Sequence, residues 1–292
     1  MAGSMMTASE QVAALERLVK RIDDVSSLPD IAMRVIEVVC APDTGVADLR
    51  VIVESDPSLV ARILRTANSS AYGLSTRVDN IHRAIALLGF NAVKDLAVTA
   101  SIAQIFKDKT NIGTYNRAAL WKHLVCVAVG ARMIASRSGI QQFDEAYMCG
   151  LLHDIGIVLL DQHNHKGFVQ VLEAVSADEP TMATERRILG FDHTQLGSEV
   201  SKKWGFPESV LQTIRHHHDT SRCDEAVRPI AQAVEVANFF CTKKNITAMG
   251  VMNVPAPSGE TFAALSIGRN ELKVLFQDLD AELEKSRDLY EL

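Results

Sequence analysis

The sequence predicts an all-α fold, with an N-terminal helical bundle packed on a second one. Apolar residues make up 47% of the chain and aromatics only 5%, with Ala, Val, Leu and Ile abundant, a mix that favours packed helices over a sandwich or barrel. Helix-start and helix-stop residues recur in register with apolar stripes. Nowhere does a convincing run of alternating strand residues stand between hairpin turns.

Taken in order, Met1-Ala2-Gly3-Ser4-Met5 reads as an expression-vector remnant, with the native start at Met5 or Met6. Residues 1–24 are therefore assigned to this remnant plus an N-terminal helix. Asp56-Pro57 reads as an N-cap followed by proline at the first helical position, where the missing N–H costs nothing. Leu59, Val60, Ile63, Leu64 and Ala67 then form one apolar stripe. Asp79 is the expected cap of a helix carrying Ile81, Ala84, Ile85 and Leu88, closed by Gly89 in the left-handed conformation. Asn91 is the expected cap of the next helix, running to about Phe106. Further helices are predicted near 115–137, 144–161, 192–204, 208–218, 227–243 and 269–290. Asn253 to Gly259, with Pro255 and Pro257, reads as a surface loop.

A polar, glycine-ended joint at Lys107–Gly113 divides the chain into halves, 25–110 and 111–292. The second half holds eight of the nine histidines, all but His82, so any metal chemistry is expected there.

Composition excludes some functions. The net charge is −6, and Lys and Arg fall in isolated pairs such as Lys202-Lys203. Non-specific nucleic-acid binding is thus disfavoured, because it needs a positive surface to displace counterions. Five scattered cysteines with no CxxC pair suit a reducing compartment, hence a cytoplasmic location. No run of about twenty uninterrupted apolar residues occurs, so no transmembrane helix is expected. The N-terminus lacks the basic and apolar regions of a signal peptide.

Gly150-Leu151-Leu152-His153-Asp154-Ile155-Gly156 puts adjacent His and Asp inside an apolar helix. Buried Asp needs a partner, because desolvating it costs several kcal/mol, and a divalent cation is one. His123 lies in a similar apolar helix, where a core histidine bonded to a carbonyl is the plain alternative. His193 follows the cap Asp192, with an exposed first-turn residue as its alternative. His216-His217-His218-Asp219 ends a helix, where positive charge is also favourable. Together His123, His153, Asp154, His193, His217 and His218 are candidate ligands from four helices, the way bundle cores hold transition metals.

The order His … His-Asp … His … His-His resembles the HD phosphohydrolase superfamily, including its HD-GYP cyclic-dinucleotide branch. Leu28-Pro29, Asp56-Pro57-Ser58-Leu59, the block Leu64 to Gly73 and the block Ala84 to Phe90 resemble the signature of HDOD domains, the HD-related output domains of bacteria. Gly150–Gly156, Asp192-His193, Leu196-Gly197, Trp204 to Glu208 and His217-His218 continue it, over roughly residues 25 to 245. The resemblance implies an HD-type second bundle and a role in bacterial signal transduction without the full catalytic set. HD enzymes place a final metal-ligand Asp where this chain has Asn238, and Glu235 is the expected substitute if there is one. The Gly-Tyr-Pro motif is absent, and Ala119 stands where trinuclear members carry Glu.

Two functions follow. One is a non-catalytic signalling module that binds a signalling protein or a nucleotide second messenger, with its histidine cluster a relic or a structural metal site. The other is an active metal-dependent phosphohydrolase or cyclic-dinucleotide phosphodiesterase. It would hold one or two ions (Fe, Mn, Ni or Zn) and depend on Asp154. His123, His153 and Asp154 would then hold the first ion; Asp154, His193, His217 and His218 the second. The final helix, from about Asn270 to Tyr290, could pack at home or pair two copies in a homodimer.

Overall fold

The computed structural model describes residues 7–25, 29–41, 43–69, 73–107, 111–176 and 178–290. Met1–Met5, Leu28, the Ser70-Ala71-Tyr72 block and Asp108-Lys109-Thr110 of the joint lie outside the described residues.

The first half is a run of short helices: α1 (Ala8–Val25), α2 (Asp30–Cys40), α3 (Val46–Glu54), α4 (Pro57–Ala67), α5 (Ile81–Leu88) and α6 (Phe90–Ile102), ending in a 3-10 turn, Ala103–Phe106. Asp56 caps α4 as expected, accepting from the Ser58 and Leu59 N–H groups at 2.7 and 3.1 Å. Leu59, Ile63 and Ala67 of its stripe are fully buried. Two caps differ from expectation. Asn80, not Asp79, caps α5, accepting from Arg83 N–H at 2.8 Å. Gly89 has φ 87° and ψ 161°, positive but extended rather than left-handed helical, so α6 begins directly after it. Asn91 is therefore already helical, and its amide donates to Asp144 instead of capping.

A two-residue antiparallel pair, β1 (Asn111–Ile112) and β2 (Tyr115–Asn116), leads into the second half. Its helices are α7 (Arg117–Arg137), α8 (Phe143–Leu152), α9 (Ile155–His163), α10 (His165–Ala174), α11 (Thr181–Leu189), α12 (His193–Lys203) and α13 (Glu208–His216), then a 3-10 turn, Thr220–Arg222. After these come α14 (Arg228–Lys243), α15 (Gly259–Ala264), α16 (Arg269–Lys285) and α17 (Arg287–Tyr290). The predicted 144–161 helix is two helices, broken at His153-Asp154, and the predicted 269–290 helix breaks at Ser286.

α7 is the central strut, packed by α8, α14, α16 and α17. It is long and apolar enough to span a bilayer, but 72% of its apolar window is buried inside the protein, as in a core helix. α1 packs on α9 and α12 of the second half, and one hydrophobic cluster runs through both halves. α16 and α17 pack on α7 of the same chain.

Candidate metal centre

Two glycines bring the ligand-bearing segments together. A β-carbon on Gly150 of α8 would lie 2.7 Å from the Ala128 Cα on α7. One on Gly156 of α9 would lie 2.0 Å from the His193 carbonyl oxygen at the start of α12. α8 and α9 thus dock on different partners. Between them the chain bends at Asp154, with φ −107° and ψ 19°. That bend, rather than a continuous helix, sets His153 and Asp154 side by side. His193 is placed by a capping box: Asp192 accepts from Gln195 N–H, and the Gln195 side chain accepts from Asp192 N–H. Arg186 and Thr194 donate to the Asp192 carboxylate.

Asp154, 4% exposed, is the hub. Its Oδ2 lies 3.5 Å from His123 Nε2 and 3.2 Å from His153 Nε2. Its Oδ1 lies 3.2 Å from His193 Nε2 and 3.3 Å from His217 Nε2. His218 Nε2 is 3.3 Å from His193 Nε2. Among the described residues, the His, Cys, Asp and Glu groups able to share an ion are two, joined at Asp154. One is His123, His153 and Asp154; the other is Asp154, His193, His217 and His218.

The opposite ring nitrogens explain the orientation. Nδ1 of His123, His153 and His217 sits 2.8, 2.7 and 3.0 Å from the carbonyls of Ile246, Gly150 and Ile214. A carbonyl only accepts, so each Nδ1 carries the proton, and in the neutral ring Nε2 is the nitrogen that presents a lone pair. Nε2 of all three rings and Asp154 Oδ1 are buried with no hydrogen-bond partner. Lone pairs facing a carboxylate at this range repel unless a proton or cation lies between them. Burial pushes His153 down to about 4, against the pull of Asp154, so at neutral pH it does not supply that proton. Burial also pushes His218 well below its usual range. Orphaned imidazole nitrogens around one carboxylate fit a borderline-soft transition-metal dication.

His193 has a different backing. Glu185 on α11 accepts from its Nδ1 at 2.7 Å and its backbone N–H at 2.9 Å. Burial opposes charge on this ring, but Glu185 and Asp154 on either side outweigh it and hold His193 well above its usual range. Glu185 is fully buried.

Four of the donors, His123, Asp154, His193 and His218, open on a cavity of about 130 Å³ whose lining includes Asn238 and Asn253. Asn238 is 2% exposed and on this wall. Glu235 is not. Its carboxylate accepts from the Thr220 and Thr261 hydroxyls at 2.8 and 3.2 Å, and it lines a separate cavity behind His218. Three helical residues turn the side chain about 60° away from Asn238, and its carboxylate stands outside both donor groups. Ala119 is exposed. Asn253, read only as a surface loop, donates to the Ser176 and Glu179 carbonyls and Thr181 Oγ1, closing its segment over the cavity.

The profile of the HDOD domain family matches residues 25–220. The chain belongs to the HDOD domain family. This HDOD chain is similar in structure to an HDOD domain protein of unknown function from Geobacter sulfurreducens. The two are 26% identical with a TM-score of 0.77, covering 96% of this chain and 98% of that one. A candidate signal transduction protein from Marinobacter aquaeolei VT8 is 25% identical with a TM-score of 0.79, over 98% of this chain and 66% of its own. An uncharacterized protein of Treponema pallidum (strain Nichols) is 24% identical over 238 residues, which are 80% of this chain. The match spans 45% of that relative's length.

Proposed function

We propose that this HDOD protein is a signal-transduction module that holds a transition-metal ion between its helices and uses the site to bind and report, not to hydrolyse. The carrying observation is Asn238 on the cavity wall, a neutral amide beside donors that include a single carboxylate. A neutral amide is a poor ligand beside dications and neutralises none of their charge. The Marinobacter relative, a candidate signal transduction protein, supports the signalling role. So does the cavity, whose 130 Å³ falls well short of the roughly 300–1,000 Å³ of pockets that enclose drug-sized ligands. It suits a phosphoryl-sized group at the tip of a larger ligand or partner. The five free cysteines agree with a reducing, cytoplasmic setting.

A bound dication would lower the pKa of a water and neutralise phosphate charge. The chain's own contribution is the orientation of the imidazoles and a carboxylate shared by two donor sets. The second reading, an active phosphohydrolase, is favoured by that shared carboxylate, because two-metal sites clamp both oxygens of a phosphoryl transfer.

The deciding experiment uses tag-free protein purified anaerobically. Elemental analysis should find metal, and hydrolysis of bis-p-nitrophenyl phosphate and cyclic di-GMP should stay at background. Turnover abolished by Asp154→Ala would establish the second reading instead.

A further inference from the structure

We infer that the pocket is a single-ion centre, that the ion belongs to the His193, His217, His218 and Asp154 set, and that Glu185 supplies this set with a negative charge that the carbonyls behind His123 and His153 do not supply to the other. The inference rests on reading the pocket as a metal centre.

The two donor sets are unequal. The Asp154, His193, His217 and His218 set offers four atoms, the full complement of a closed tetrahedral site. The set of His123, His153 and Asp154 offers three.

The groups behind the ligands are also unequal. His123 and His153 lean on the carbonyls of Ile246 and Gly150, which carry no charge. His193 leans on a full carboxylate at 2.7 Å. A carboxylate hydrogen-bonded to the far nitrogen of a ligating imidazole fixes its tautomer and raises its basicity.

Glu185 is committed to His193. Both its observed contacts are to His193, its Oε1 is buried without a partner, and the residue is 0% exposed. Interring a carboxylate this way is costly unless a nearby cation compensates it. Asp192 already has Arg186. Asp154 and Glu185 remain, flanking His193 on either side; an imidazolium there offsets one of the two negative charges, and one dication offsets both. A second dication would leave a net buried charge of about two, which low-dielectric surroundings oppose.

The test is titration of chelator-stripped protein with Zn²⁺ against a competing chelator, with imidazole counting by X-ray absorption on the loaded sample. One ion per chain with about three imidazole ligands is expected. Glu185→Gln keeps a carbonyl that accepts from both His193 N–H groups, so the metal-free variant should still unfold cooperatively, with a midpoint lowered by loss of the charge facing His193. Its Zn²⁺ affinity should fall about 10- to 100-fold. His218→Ala should cost at least tenfold more affinity than His123→Ala, a comparison that holds even if the Glu185 variant folds poorly. Two ions per chain, the reverse histidine order, or wild-type affinity in a folded Glu185→Gln protein would overturn the inference while leaving the metal centre standing. Absence of Zn²⁺ binding by wild type would instead remove the metal reading on which it rests.

Discussion

A β-carbon placed on Gly156 would meet the carbonyl oxygen of His193 at 2.0 Å and its carbonyl carbon at 2.8 Å. Both atoms are main chain, so neither can swing aside as a flexible side chain would. Gly156→Ala must separate α9 from α12, and with them Asp154 from His193. Overpacking of this kind costs about 1–3 kcal/mol, and more where backbone must move. Urea unfolding should show at least that loss, together with weaker metal binding. Gly259, with nothing within 4 Å of a β-carbon, is the control: Gly259→Ala at the start of α15 should be neutral or slightly stabilising.

Metal loading should stabilise the fold. A ligand that binds only the native state adds about 2.7 kcal/mol at a hundredfold excess over its Kd. For a chain of this size that is a rise of several degrees in Tm. Differential scanning fluorimetry with Zn²⁺, reversed by EDTA, checks it; an unchanged Tm at saturation would count against an ion tying these helices together.

Restoring a carboxylate at position 238 should change the stoichiometry. Asn238 lines the cavity together with His123, Asp154, His193 and His218, so Asn238→Asp adds a donor and a negative charge to a wall where Asp154 is the one carboxylate among the donors. A second equivalent of metal is expected in titration, at least tenfold tighter than any second-site binding by wild type.

Asp95 of α6 carries a pH dependence away from the centre. It is 8% exposed and accepts from Arg132 of α7 at 2.6 Å. Burial pushes its carboxyl up to about 7, outweighing Arg132. Between the unfolded value near 4 and the folded value near 7, the native chain holds a proton that the unfolded chain has released. This contribution to stability is therefore full below about pH 4, declines as pH rises, and is gone above about 7. Asp95→Asn should flatten that part of the curve of unfolding free energy against pH. A slope equal to that of wild type would refute the assignment.

The histidines were legible because imidazole and Asp are conspicuous in apolar runs such as Gly150–Gly156. The supporting residues were not. Glu185 stands in Thr184-Glu185-Arg186-Arg187, which reads as a solvated helix face. Its burial comes from the docking of α11 against the start of α12, a tertiary event with no local signature. The break at His153-Asp154 was hidden for a related reason, since no Pro or Gly sits at the bend and the two helices part only because they pack on different neighbours. The shift from Asp79 to Asn80 at the α5 cap is a choice between adjacent residues of equal capping ability. Helical spacing puts Glu235 near Asn238 but cannot see the two hydroxyls of Thr220 and Thr261 that claim its carboxylate.

Steering three of the imidazoles by main-chain carbonyls has a thermodynamic corollary. Their rings are locked against rotation when the polypeptide folds, so capture of a cation need freeze few further torsions. His123 depends for this on Ile246, in the stretch leaving α14. A pull on that stretch would unlatch the His123 ring without unravelling a single helix, a direct mechanical route from the outer surface to the Asp154 carboxylate that both donor sets share.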